Sequence, residues 1–382
     1  MIAVIADDFT GAAELAGIGL RYDLEVELAT SVIGDTTADM FVVCTDSRSM
    51  NKADAIKITE QTIKEILKLK PTFIYKKIDS VLRGHVLDEL RAQMRHSGKT
   101  KVLLLGANPS LGRAITGGRY FIHGEPIDET DFGSDPEFAI RDSSVLEMVK
   151  AGTSNVKVLK HTDELPVSGI VIGEAISSED VKAWAEKMDD SWLLAGAGDF
   201  FAALLDIRLK AKTKPPVHLL SPHLYVSGTA FGKSRDFVKS IQQKMNCVAY
   251  IPRMMMLTGN TSNDNWYDSI FQLLANQKKA VIAIDDEDVD PWSVSALHLR
   301  TMMAVIVHNI IARGVVKELF IEGGSTAAAI LKELGIDKLS LVNELQRGIV
   351  RMKVNDLYIT VKPGSYQLPE QIKNLYSINA LD

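Results

Sequence analysis

Short apolar runs alternate with amphipathic stretches along nearly the whole chain, and no other feature constrains its fold as strongly. Residues Ile2–Ala6, 25–30, 40–45, 73–78 and 101–106 read as strands. Helical patterns lie between them; Val86, Leu90 and Met94, for example, share a face at four-residue spacing. A parallel strand pair needs a crossover, and a helix is the compact way to make one, so the alternation predicts an α/β fold with a largely parallel sheet. Ligands of such sheets bind beyond the carboxyl ends of the strands, which makes the residues just after each strand the ones to inspect.

The pattern lapses over residues 106–141, a stretch rich in Gly, Pro, Asp and Arg that nonetheless holds Phe121, Ile122 and Ile127. A long segment of this kind reads as an ordered active-site loop. Alternation resumes through residues 169–172, 178–188 and 191–195. Residues 209–216 (LKAKTKPP) are charged, end in two prolines and mark the expected boundary between a domain at 1–210 and a domain at 217–382. In the second domain, strands are expected near His223–Ser227, 280–284 and Glu318–Glu322. Residues 338–361 carry β-like runs without a clear helix. The fold class that follows is two α/β domains with largely parallel sheets, the second ending in short antiparallel strands, with the active site in the cleft between the domains.

Composition serves mainly to exclude. With 46% hydrophobic and 24% charged residues, the chain has material for a sizeable core and is not disordered. Its 43 basic and 49 acidic residues give a net charge of −6, which argues against a general nucleic-acid binder. Cys44 and Cys247 stand far apart in apolar stretches, a usage that suits a reducing cytoplasm. The first six residues look like a strand and not a secretory leader. The longest apolar stretch, residues 302–311, is interrupted by His308 and Asn309 and is too short to span a bilayer. A soluble cytoplasmic protein without nucleic-acid or membrane partners is expected, and a homodimer stays open.

Three strand ends carry chemistry in the N-terminal half. The first runs into Asp7-Asp8-Phe9-Thr10-Gly11, where a carboxylate beside helix amides can orient a hydroxyl or take its proton, or can simply cap the helix. The fourth runs into Lys76-Lys77-Ile78-Asp79-Ser80-Val81-Leu82-Arg83-Gly84. Arg83 and Lys77 suit a carboxylate and Asp79 and Ser80 suit hydroxyls, so the turn fits a small polyhydroxy acid; the alternative is a solvated turn with a surface ion pair. After the fifth strand come Asn108 and Arg113, then Arg119, which are candidates for anion contact or for loop stabilisation. His85, His96 and His123 have no mutual metal-ligand spacing, and no metal ligand is assigned.

The C-terminal half offers glycine signals. Residues 227–234 (SGTAFGKS) approach the P-loop pattern G-x-x-x-x-G-K-[ST] but place Ser227 at its first glycine, and Asp285-Asp286 follows a nearby apolar strand. Glu322-Gly323-Gly324-Ser325-Thr326 and Lys362-Pro363-Gly364-Ser365 are further strand-end turns that can expose amides to phosphate. Together with Ser227, Gly228 and Thr229 they suggest a split nucleotide site.

Taken together, ADDFTGAAE at residues 6–14, KKIDSVLRG at 76–84, Gly112-Arg113, GGSTAA at 323–328 and KPGS at 362–365 resemble the four-carbon acid sugar kinase family in order over essentially the whole chain. The resemblance implies an N-terminal domain for the sugar acid, a C-terminal domain for ATP, Mg²⁺ as the accompanying cation, and phosphoryl transfer to a substrate hydroxyl. On that reading Asp8, with Asp79 as competitor, is the catalytic carboxylate. Asp7, Lys77, Ser80, Arg83, Asn108 and Arg113 contact the acid. Ser227, Gly228, Thr229, Gly323, Gly324, Ser325, Lys362 and Gly364 contact the nucleotide. The chain departs from the family in having Ala107-Asn108-Pro109-Ser110 where an aromatic-proline run is usual, and Tyr366-Gln367 where the last motif usually ends in Phe-Gly. A P-loop-like NTPase using residues 227–234 and a non-catalytic sugar-acid sensor remain the alternatives.

Overall fold

The computed structural model describes residues 1–382 except 31–33, 135–138, 153–154, 213–216, 229–231, 286–293, 365 and 377–382. The chain divides into two compact units, Met1–Thr213 and Lys214–Asp382.

In the first unit the expected strands form one parallel sheet. Its members are β1 (Ile2–Ala6), β2 (Val26–Ala29), β3 (Met40–Cys44), β4 (Phe73–Lys77), β5 (Lys101–Leu105), β9 (Val156–Leu159), β10 (Gly169–Gly173) and β11 (Trp192–Gly196). They lie in the order β2-β3-β1-β4-β11-β5-β10-β9. From β1 the chain turns to one side of the sheet, and from β4 to the other. The helix that leaves β1, Phe9–Leu20, packs beside Gly198–Arg208, whereas the helix that leaves β4, Val86–Ser97, packs beside Lys52–Lys68. A crevice therefore opens at the carboxyl ends of β1 and β4, the place where a doubly wound sheet takes its ligand. Burial explains the strand sequences: Ala3, Ile5, Phe41 and Val43 pack against Ile63 and Ile66 of the helix Lys52–Lys68. Helix Phe9–Leu20 is buried on nearly every side, which accounts for its Gly- and Ala-rich composition.

The described residues between 106 and 141 are not a plain loop. They build a three-stranded antiparallel sheet of β6 (Arg113–Thr116), β7 (Arg119–Ile122) and β8 (Glu125–Pro126), with 3₁₀ turns around it. Gly117 and Gly118, at φ 56° and 72°, form the two-residue turn between β6 and β7, a backbone that side chains with a Cβ rarely adopt.

The second unit has a mixed sheet. Its strands are β12 (His223–Ser227), β13 (Val248–Tyr250), β14 (Lys279–Ala283), β15 (Glu318–Glu322), β16 (Lys338–Gln346), β17 (Ile349–Val354) and β18 (Leu357–Lys362). They run β13-β14-β12-β15-β18-β17-β16, with antiparallel pairing in β16-β17-β18 and parallel pairing elsewhere. The closing antiparallel strands are those expected, with the addition that β18 returns parallel to β15. Its core packs Tyr225, Val281 and Phe320 of the sheet against Val238 and Ile241 of the helix Gly232–Met245. Among the described residues no helix is long and apolar enough to cross a membrane, and Cys44 and Cys247 are buried free thiols.

Candidate functional site

Strand register brings the sequence candidates of the first unit together. Ala6 stands opposite Cys44 of β3 and Lys77 of β4, and Lys77 stands opposite Gly196 of β11. The segments that follow these strands must therefore lie side by side. They deliver Asp7 and Asp8, Arg48, and the turn from Ile78 to Arg83 to one edge.

Arg48 is the centre of this cluster. Its guanidinium donates to both oxygens of Asp7 at 2.8 and 3.0 Å and to Asp8 at 2.9 Å. It also lies 3.4 Å from Asp79. Asp79 in turn holds Arg83 through both carboxylate oxygens, at 2.8 and 3.0 Å, and accepts the Arg83 amide at 3.1 Å. Asp8 caps the helix Phe9–Leu20: its Oδ1 accepts the Gly11 amide at 2.9 Å, and its Oδ2 accepts the Thr10 hydroxyl. The capping role and a substrate role are thus compatible in one side chain. Beside it, Lys77 Nζ donates to the Ile78 carbonyl at 2.8 Å and lies 3.5 Å from Glu14. Gly11 makes this arrangement fit, since a Cβ there would stand 2.7 Å from Asp8 Oδ1 and 3.3 Å from Lys77 Nζ.

The electrostatics separate the two adjacent aspartates. Burial raises the Asp7 carboxyl above its ordinary range despite Arg48. Burial acts the same way on Asp8, but Arg48, Lys77 and the Thr10 hydroxyl outweigh it and hold Asp8 below that range. Asp79 is likewise buried, yet Arg48 and Arg83 hold it far below. The Asp8 side chain is 18% exposed and that of Asp7 only 6%. Asp8 is thus the more exposed of the two and the one held in its ionised form, while Asp7, a candidate substrate contact, is buried and bonded to Arg48.

The remaining first-unit candidates split. Arg113 donates to the Ser80 hydroxyl, and the Phe132 ring lies 5.6 Å from the Arg83 guanidinium and 5.9 Å from that of Arg113. Asn108 is fully buried, its side-chain oxygen accepting the Asp199 amide at 3.2 Å, so it supports the edge from within. Arg119 is tied to Ser143 at 2.8 Å, and His85 bonds the Met50 carbonyl at 2.7 Å.

The second unit repeats the logic. Ser227 stands opposite Glu322, and Glu322 opposite Lys362, so the turns after β12, β15 and β18 are neighbours. Glu322 is fully buried and accepts from Tyr225, Ser234 and Lys362, each at 2.5 Å. Burial pushes the Lys362 ammonium down, and Glu322 opposes that. Lys362 also donates to the carbonyls of Pro363 and Gly364, at 3.0 and 3.2 Å, which fixes the last glycine turn. Gly323, at φ 110°, caps the helix Gly324–Glu333 without a side-chain bond. Gly324 and Ser325 thus lie in its first turn, and Ser325 is exposed. The Gly228 carbonyl accepts Thr326 at 3.2 Å. Thr229, Asp286 and Ser365 lie outside the described residues. Ser234, which a P-loop would present to a metal ion, is committed to Glu322. A cavity of about 580 Å³ borders the turn after β18 and the start of the helix Gly232–Met245, with Lys362, Gly364 and Tyr366 in its wall.

Sequence reasoning missed Arg48 and Glu322. The available signals were the polar run Thr45-Asp46-Ser47-Arg48 after the third strand and an acidic residue closing the apolar strand Leu319-Phe320-Ile321.

Two α/β units, each with polar turns gathered at neighbouring ends of parallel strands, define a class, and comparison with known proteins narrows it. A family described as "Sugar-binding N-terminal domain" matches residues 2–204, and one described as "Nucleotide-binding C-terminal domain" matches residues 224–366. The chain belongs to this two-domain family, that of the four-carbon acid sugar kinases. It is 25% identical to a D-threonate kinase of Salmonella typhimurium, over 95% of this chain and 94% of that one. It is 21% identical to a 3-oxo-tetronate kinase of Methylobacterium radiotolerans, over 96% of each. A solved structure of a Salmonella typhimurium protein described as a putative tRNA synthase has the same fold, with a TM-score of 0.80 at 17% identity, covering 97% of this chain and 98% of that one.

Proposed function

We propose that the protein is a kinase that transfers the γ-phosphoryl group of ATP to a hydroxyl of a four-carbon sugar acid. The observation that carries the reading is the Arg48-centred cluster at the crevice of the first unit. It presents an ionised, reachable Asp8 beside Lys77 and within one network with Asp79 and Arg83. The first unit, residues 1–210, takes the acid, and the second, residues 217–382, takes the nucleotide.

The roles follow from charge and reach. Arg83 and Arg113, one facing Asp79 and the other Ser80, supply guanidinium hydrogens to the substrate carboxylate; Phe132 lies beside both. Asp8 accepts a hydrogen bond from the attacking hydroxyl and takes its proton as the O–P bond forms. Its lowered basicity is tolerable, because the loose transition state of phosphoryl transfer depends on positioning and charge neutralisation more than on early deprotonation. The cavity of the second unit fits the nucleotide: its wall includes Gly232 and the glycine turn at Gly364 together with the aromatic side chains of Phe237 and Tyr366, and the turns at Gly228 and Gly323 follow the neighbouring strands β12 and β15. ATP supplies the phosphoryl group, and Mg²⁺ enters with the triphosphate, whose oxygens provide ligands for it. The protein acts in the cytoplasm, where such metabolites are found.

A coupled ADP-release assay with Mg-ATP against D- and L-threonate, D- and L-erythronate and their keto forms tests the reading. Turnover that depends on one acid supports the kinase and names its substrate. ATP hydrolysis indifferent to every acid points to the NTPase alternative, and absence of both turnover and nucleotide binding to the sensor.

A further inference from the structure

Resting on the kinase reading, we propose that Lys233 is the residue that holds the polyphosphate of the nucleotide. The cavity of the second unit has the volume of a small-molecule site, about 580 Å³. Its lining includes the apolar side chains Phe237, Tyr366 and Leu368 and three lysines, Lys233, Lys362 and Lys373. Apolar aromatic surface next to concentrated positive charge matches a nucleoside polyphosphate, which has a flat base at one end and several negative oxygens at the other.

The three ammonium groups are not equivalent. Lys362 is 1% exposed and bound to Glu322 at 2.5 Å, so its charge is already balanced inside the protein. Lys373 lies 2.6 Å from Glu370. Lys233 is exposed and has no carboxylate partner among the described residues, so its full charge is available to the cavity. Its backbone is fixed from below: the next residue, Ser234, is buried and bonded to Glu322, which pins this turn of the helix Gly232–Met245 to the end of β15. The Gly232-Lys233-Ser234 run thus keeps the lysine of a P-loop while its serine serves the scaffold. A lysine on such a footing acts as a mobile point charge that can follow the β- or γ-phosphate oxygens through charge-assisted hydrogen bonds.

The test is calorimetric binding of Mg-ATP, Mg-ADP and AMP to the full-length protein, its Lys233→Ala variant and its Lys233→Arg variant, with thermal melts alongside. Lys233→Ala weakens ATP and ADP binding at least about tenfold, as loss of one charge-assisted contact should. AMP binding changes by less than about threefold, Lys233→Arg recovers most of the loss, and the melting temperature stays put, because Lys233 is exposed. If the Ala variant binds ATP like the wild type, or loses AMP as severely as ATP, Lys233 does not hold the polyphosphate, while the kinase reading stands. If the wild type binds no nucleotide at all, both fall together.

Discussion

Asp8 and Asp79 face the same arginine, yet they differ in what they can still offer a ligand. Both oxygens of Asp79 are taken by Arg83, and Arg48 stands close by. Asp8 keeps an accessible edge. Replacing Asp8 by Asn keeps the shape and removes the charge; kcat should fall at least about tenfold, as expected for loss of a positioned base. Mg-ATP affinity, measured by calorimetry, should stay within about twofold, because the change lies in the other unit. An unchanged kcat would remove Asp8 from the mechanism. Asp79 makes a stability prediction with a definite sign. Its folded pKa lies below its unfolded value because Arg48 and Arg83 outweigh burial. The ionised form therefore stabilises the fold above about pH 4, and this contribution is lost as pH falls below that value. Asp79→Asn should cost about 1.5–3 kcal/mol at pH 7 by weakening the charge-assisted hydrogen bonds that hold Arg83. The gap between variant and wild type should narrow on acidification to pH 3, as followed by thermal melts. A constant gap would mean that Asp79 acts through packing alone. Asp7 and Asp8 were legible in the sequence as an acid pair at a strand end; that burial and Arg48 would shift their carboxyls in opposite directions was not. Arg48 itself is a lone arginine distant in sequence from both acids it holds, and only strand register brings it to them.

At the scale of elements, the helix that starts at Phe9 and the turns that Glu322 ties together are the parts that position chemistry. Gly11→Ala sets two effects against each other. Alanine favours the helix by about 1 kcal/mol, but its Cβ would displace the Asp8 carboxylate from its place beside Lys77. We expect kcat to drop about tenfold while thermal stability stays within about 1 kcal/mol of wild type; equal loss of both would show that the helix, not the site, had been damaged. In the second unit, Glu322→Gln and Lys362→Met should each destabilise. Their double-mutant cycle should show a coupling of about 1–3 kcal/mol, because the pair is fully buried and in direct contact. Additivity in chemical denaturation would contradict the pairing. The main strands were legible because each is an apolar run bounded by polar residues. The sheet within residues 106–141 was not: its strands are too short for alternation to stand out, although Gly117-Gly118 between Ile115-Thr116 and Arg119-Tyr120 is a hairpin signal. Nor could local pattern show that β18 lies parallel to β15, since their partnership spans the intervening helix and hairpin.

For the whole molecule, the order of motifs along the chain proved more informative than any one of them. Each glycine turn of the second unit is weak evidence alone, and the run at residues 227–234 approaches a P-loop but has Ser227 at its first glycine and Ser234 bonded to Glu322. Read in order with the acid motifs of the first unit, they define the family to which the chain belongs. In the proposed reaction the phosphoryl group passes from ATP to a sugar acid and not to water, so the most direct test is to follow the phosphorus. ³¹P NMR of the protein with Mg-ATP and the acid that best stimulates ADP release should show a phosphate-ester resonance growing one for one with ADP and little inorganic phosphate. ADP accompanied only by inorganic phosphate, whichever acid is present, would contradict it.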